Sequence, residues 1–233
     1  MDKKSRKESG LCLLEGKKII IEALKNKQEL LFIFTTQNNY QNAEKEFDDI
    51  DIMVADKEII EYMSSTITPQ DYIGVCKVNS FEYSLPNTNY LVLDCLQDPS
   101  NLGMIIRTAV ATGFTTIYLI DSVDEYSPKV VRASMGNLFR CKFMHITYDQ
   151  IQDLKDTLCI CDMYGEDIFT IHNFDNVVGL CIGNEGHGVS ETIRKEISKK
   201  ISIPMKNNVE SLNAGVSASV IMYHISINQK EIS

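Results

Sequence analysis

The stretch YLVLDCLQDPSNLGMIIRTAVATGFTTIYLID, Tyr90 to Asp121, reads as strand, loop, helix and strand in turn. Its two apolar runs, residues 90–96 and 116–121, lack the apolar-polar alternation of a half-solvated strand. They predict strands buried on both faces, the mark of a parallel sheet with crossover helices. Pro99 and Ser100 fit the entry to the helix between them, and Arg107 lies farther along it. Four more apolar runs follow at residues 142–147, 158–163, 177–183 and 200–205, most of them separated by segments able to form helices. An α/β domain closed by a C-terminal helix is expected over residues 90–233.

Upstream, shorter elements alternate. EGKKIIIEALKN, QNAEKEFDD and KEIIEYMSS have helical spacing, whereas LLFIFTT, DIMVAD and YIGVCKV read as strands. Residues 1–78 therefore form a small α/β domain. Residues 79–89, NSFEYSLPNTN, are polar, hold a proline and show no period, as a linker does.

Composition narrows the classes of function. With 233 residues, 44% hydrophobic and 24% charged, the chain has the make-up of an ordinary globular protein. No apolar run approaches the ~20 residues that cross a bilayer, and the basic start MDKKSRKESG lacks the apolar core of a signal peptide, so a cytoplasmic location is expected. The seven cysteines include no C-x-x-C pair and read as buried thiols, with no metal site or disulfide framework indicated. Residues 1–27 carry eight Lys and Arg against four Asp and Glu, which is +4, while the whole chain is at −9. That balance argues against indiscriminate coating of nucleic acid, which depends on neutralising phosphates, but allows a locally basic surface.

Three loops follow apolar strands at the end where open α/β sheets place ligands. In QDPSNLGMIIRTAVATGF, Asn101 and Arg107 stand six residues apart across a helix start; taken alone, they are a helix entry and a solvated arginine. In IGNEGHGVS, Gly183, Gly186 and Gly188 run in the reverse of the dinucleotide fingerprint and follow a late strand, so a nicotinamide-dependent oxidoreductase is a weak reading. Glu185 among those glycines can hold a polar group, or be a solvated acid on a turn. In ISIPMKNNVESLNAGVSASV, Pro204 marks the end of sheet pairing and Ser211 is a natural helix N-cap. Small residues at Asn213, Ala214, Gly215, Ser217, Ala218 and Ser219 stand where a core helix normally carries leucine.

Together, N-L-G-x-x-x-R-T-A, G-N-E-G-x-G and I-P-M-x-x-x-V-E-S-L-N resemble the three ordered motifs of the SpoU/TrmH family of RNA ribose methyltransferases, in the SPOUT class. EGKKIIIEAL and TITPQDYIGV likewise resemble the small substrate-binding domain that often precedes them. The resemblance implies a deep trefoil knot in the C-terminal domain, where connection rules alone predict an unknotted sheet. It also implies S-adenosylmethionine as cofactor and transfer of its methyl to a ribose 2′-hydroxyl. The implied acceptor is structured RNA, ribosomal rather than transfer RNA, and the implied assembly is a homodimer. By motif position, Arg107 serves the hydroxyl as base or as a clamp on the adjacent phosphate; Asn101 and Asn213 orient Arg107 and the RNA; Glu185 fixes the motif loops; and Ser211 contacts ribose or phosphate. Gly183, Ile203 and Leu212 match the backbone positions at the cofactor, and His187 is a surface residue rather than a base. A catalytically inactive RNA-binding protein is the reading from another class, disfavoured because every polar motif residue is present.

Overall fold

The structure, a computed structural model, describes residues 2–175, 177–207 and 209–229. The chain divides into two compact units, the first ending at Asn79 but also holding Asp124–Phe139, the second made of Ser80–Val123 and the residues from Arg140 onward. The segment Asp124–Phe139 is thus inside residues 90–233 in sequence and packs with the first unit in space.

The first unit contains α1 (Lys3–Ser9), β1 (Leu11–Glu15), α2 (Lys17–Lys25), β2 (Leu30–Thr35), α3 (Tyr40–Glu46), β3 (Asp51–Val54), α4 (Lys57–Met63) and β4 (Tyr72–Lys77). The sheet order is β1-β4-β2-β3, with β4 antiparallel to both neighbours and β2 parallel to β3. Every element expected between residues 15 and 78 is present; α1 and β1 were not foreseen. The polar helix α1 has no apolar stripe to signal it and is held by its ends. Asp2 accepts from the Ser5 amide at 2.8 Å, and Gly10 closes the helix at φ 66°. Arg6, 7% exposed, donates through Nε at 2.8 Å and Nη2 at 2.5 Å to Asp124 Oδ2, joining α1 to the returning segment.

The second unit has six parallel strands: β5 (Tyr90–Asp94), β6 (Thr116–Ile120), β7 (Lys142–His145), β8 (Leu158–Asp167), β9 (Gly179–Ile182) and β10 (Lys200–Ser202). Their order is β10-β8-β9-β5-β6-β7, so β5 and β9, distant in sequence, lie side by side. All five residues of β5 and of β6 are buried, as their unbroken apolar runs predict. Side chains such as Leu91, Leu93 and Ile117 each contribute ~1.5–3 kcal/mol by leaving water.

Helix α5 (Pro99–Thr112) starts with Asp98 accepting from the Ser100 amide at 2.7 Å, and Gly113 ends it at φ 84°. Between β6 and β7 lies α6 (Pro128–Ala133) of the first unit; α7 (Glu191–Glu196) and α8 (Ala214–Asn228) complete the chain order. The N-cap of α8 is Asn213, not Ser211 as its residue type suggested. Asn213 Oδ1 accepts from the amides of Gly215 at 2.9 Å and Val216 at 3.3 Å, the donors that an N-cap satisfies. The small residues of α8 meet α5. A Cβ on Gly215 would stand 3.1 Å from Met104 Sδ, Ala218 is fully buried, and Ser219 Oγ lies 2.9 Å from Thr108 Oγ1. Close approach to a neighbouring helix of the same unit thus accounts for Gly215, Ala218 and Ser219.

Candidate active site

The loops leaving β5 and β9 emerge from adjacent strands and are stitched together by side chains. After β9, Asn184 and Gly188 exchange backbone hydrogen bonds of 2.9 Å each way, closing a tight turn with Gly188 at φ 69°. Asn184 Oδ1 accepts from the amides of Gly186 and His187, and its Nδ2 donates to the Cys95 carbonyl at 3.0 Å. Next to it, Glu185 Oε1 accepts from the Asp98 amide at 2.9 Å and from Asn101 Nδ2 at 3.0 Å, while Oε2 accepts from the Gln97 amide at 3.2 Å.

Asn101 is 3% exposed and its Oδ1 accepts from Asn213 Nδ2 at 2.9 Å. The donors run one way, from the first amides of α8 to Asn213, then to Asn101 and then to Glu185. A carboxylate can only accept and a helix start can only donate, so the two ends dictate how both amide side chains point. Burial pushes the Glu185 carboxyl up, but hydrogen bonds from Asn101 and the Asp98 and Gln97 amides outweigh it and leave the group below the ordinary glutamate value. Stability from such a group is present above its ordinary range and lost as pH falls through the lowered folded value. Glu185→Gln is expected to melt below wild type at pH 7, with the gap closing under acid, below the ordinary 4.5. Melting curves giving the same gap at pH 7 and pH 3 would contradict this role.

Arg107, the ninth residue of α5, is exposed and makes no hydrogen bond or ion pair among the described residues. Six positions along a helix put it ~9 Å beyond Asn101 and on a different side, so Asn101 bonds to Asn213 and to Glu185, and neither asparagine bonds to Arg107. Ser211 and Leu212 are exposed just before α8, and Ile203 is half-buried after β10. Gly183 is pressed on the turn that it opens: a Cβ there would stand 2.0 Å from the Gly188 carbonyl carbon and 2.1 Å from the Val189 nitrogen. His187 is exposed, with Nδ1 against Asn184 Oδ1 at 3.2 Å.

Several supporting residues carry no motif signal beyond their residue type. Asp94, 1% exposed at the end of β5, accepts from the Ser190 amide at 2.7 Å and from the Tyr148 hydroxyl at 2.9 Å. It thereby ties the exit of the β9 loop to the central strand. Gln97 Nε2 donates to the carbonyls of Cys95 and Asp121, two non-glycine residues at positive φ. Gln97, Asn184 and Ser190 lay within the loops singled out in the sequence, but none of them was given a role there.

These loops fit a ligand with both polar and apolar parts. Met205 and Leu212 are 36% and 37% exposed, and around Gly186 a Cβ would meet nothing but Asn184 Oδ1 at 3.6 Å. Exposed apolar side chains and open backbone at a glycine can receive an adenosine ring system and a methionine chain.

A model of the SpoU rRNA Methylase family matches residues 88–223, and one of the MRM3-like substrate binding domain matches residues 1–74. The chain is 30% identical over 238 residues to an uncharacterized tRNA/rRNA methyltransferase of Synechocystis, covering 94% of this chain and 85% of that one. It is 26% identical over 229 residues to the 23S rRNA (guanosine(2553)-2′-O)-methyltransferase RlmP of Bacillus subtilis, covering 96% and 91%. Among solved structures, an AdoMet-bound rRNA methyltransferase from Sinorhizobium meliloti superposes with a TM-score of 0.82 at 26% identity, over 96% of this chain and 89% of that one. The Glu185–Asn101–Asn213 network joins the three motif loops inside the residues that the first model matches, and the chain belongs to the SpoU rRNA Methylase family.

Proposed function

We propose that this protein is an S-adenosylmethionine-dependent methyltransferase that methylates a ribose 2′-hydroxyl of ribosomal RNA. The carrying observation is Arg107: an exposed guanidinium without a protein partner among the described residues, on the helix whose first turn is locked to both other motif loops. The cofactor supplies an electrophilic methyl on a sulfonium centre. Gly183, Ile203 and Leu212 would hold it through backbone and shape, and the locked loops keep that surface from shifting during the reaction.

A ribose hydroxyl is a poor nucleophile at neutral pH and needs in-line placement and somewhere for its proton to go. A guanidinium in water keeps its proton, so Arg107 serves better as a planar fork on the adjacent phosphate than as a base. It fixes the ribose, and the proton leaves to a phosphate oxygen or water. Ser211, exposed just before α8, contacts ribose or phosphate in this reading. Ribosomal RNA is preferred to transfer RNA because the Bacillus and Sinorhizobium relatives, which match both units, are rRNA methyltransferases by name. No helix among the described residues is long and apolar enough to cross a membrane, and we place the protein with its substrate in the cytoplasm. The reading includes the C-terminal knot that the family resemblance implies. Purified protein with methyl-labelled cofactor should label ribosomal RNA in a form that resists alkali, because a 2′-O-methyl group blocks the hydroxyl that cleaves RNA. Label in transfer RNA alone, or on a base, would overturn the proposal.

A homodimer belongs to the same reading. Along α8, Val216, Tyr223 and Ile227 are 38%, 52% and 76% exposed, and their spacing puts them on one face. An outward apolar stripe of this kind marks an association surface. Tyr223→Glu combined with Ile227→Glu is expected to give monomers in light scattering and to lose most methyl transfer. A monomeric variant of full activity would contradict the dimer's role.

A further inference from the structure

Asp162, near the middle of β8, is only 4% exposed and plays no part in the chemistry above. Its Oδ1 accepts from the Tyr164 amide at 2.9 Å, and its Oδ2 pairs with Arg194 Nη1 of α7. The same guanidinium also faces the other way. Arg194 Nε donates to the Val189 carbonyl at 2.8 Å, and a Cβ on Gly188 would come within 3.3 Å of Arg194 Nη2. One side chain therefore bridges β8 and the exit of the loop that opens at Gly183 and carries Glu185.

A buried carboxylate without a partner is strongly disfavoured, so Asp162 keeps Arg194 in place. The planar fork then leaves Nε aimed at a single carbonyl, a geometry that an ammonium cannot reproduce. Glu185 fixes the middle of the loop, and Arg194 fixes its end.

We propose that Arg194, held by Asp162, is a positioning residue that sets the Gly183–Val189 loop for the cofactor and so governs S-adenosylmethionine affinity. The inference rests on the reading of that loop as part of the cofactor site. The full-length protein and its Arg194→Lys variant, which keeps the charge beside Asp162 and loses the fork, can be titrated calorimetrically with S-adenosylmethionine. The expected result is a Kd raised roughly ten- to hundredfold. kcat at saturating cofactor is expected within about threefold of wild type, because the misplacement acts on cofactor binding rather than on the acceptor. An unchanged Kd, or a kcat that falls while Kd holds, would overturn the proposal. Should Arg194→Lys melt far below wild type, Arg194→Gln with Asp162→Asn removes both charges and leaves neither stranded; a raised Kd is expected there too, and a wild-type Kd overturns the proposal. Wild-type protein that binds no S-adenosylmethionine would instead overturn the cofactor reading beneath it.

Discussion

Arg107→Ala is expected to lower methyl transfer roughly 10²- to 10³-fold, the size of effect seen when one group that binds the transition state is removed. S-adenosylmethionine affinity is expected to stay within about twofold, because Arg107 is exposed on α5 and belongs to no network that holds the motif loops. Stability should hardly move, since a surface substitution away from caps and buried partners changes it by less than ~0.5 kcal/mol. Arg107→Lys tests the fork itself: it keeps a positive charge and loses bidentate geometry, and most of the loss should persist. Single-turnover rates and calorimetric titrations of both variants check this. Near-wild-type turnover by the lysine variant would show that charge alone suffices, and lost cofactor binding by the alanine variant would put Arg107 in the methionine pocket.

Gly183→Ala is expected to be the most damaging single methyl group in the second unit. Because Gly183 matches a backbone position at the cofactor, a side chain there would be expected to meet the ligand, and Gly183→Val to cost cofactor affinity more than folding. The structure corrects this. The added carbon would stand 2.0 Å from the carbonyl carbon of Gly188 and 2.1 Å from the nitrogen of Val189, both backbone atoms of the turn that Asn184 and Glu185 secure. Flexible side chains can move aside at a cost of ~1–3 kcal/mol, but a hydrogen-bonded turn has no such freedom. A melting temperature far below wild type, or no folded protein at all, is the expected result, with valine worse than alanine. A Gly183→Ala protein melting within about 2 °C of wild type would refute the close approach.

The sequence disclosed the sheet of the second unit because β5 and β6 are buried on both faces, which leaves an unbroken apolar run. It concealed β1, whose five residues alternate between buried and half-buried, and α1, whose stability comes from two caps and the Arg6–Asp124 pair. Asp124 is 118 residues from Arg6, and no local pattern announces such a contact. The same division holds at the site. Asn101, Glu185 and Asn213 were legible as motif positions, yet their hydrogen-bonded order depends on β5 and β9 being neighbours, which only the strand order reveals. Ser211 and Asn213 are both good N-cap residue types two positions apart, and the helix start selects Asn213. Asp94, Asp162 and Arg194 were invisible because a buried carboxylate and a half-buried arginine look like solvated charges in a sequence.

In the proposed function, the motif loops of this chain methylate ribose in ribosomal RNA, with Arg107 acting on the acceptor. Site-by-site mapping of 2′-O-methylation in total RNA tests it most directly, using cells that lack the protein and the same cells given back either wild type or Arg107→Ala. One ribosomal RNA ribose mark is expected to disappear, to return with wild type and to stay absent with the variant. A lost mark in transfer RNA with every ribosomal mark intact, or full restoration by Arg107→Ala, would contradict it.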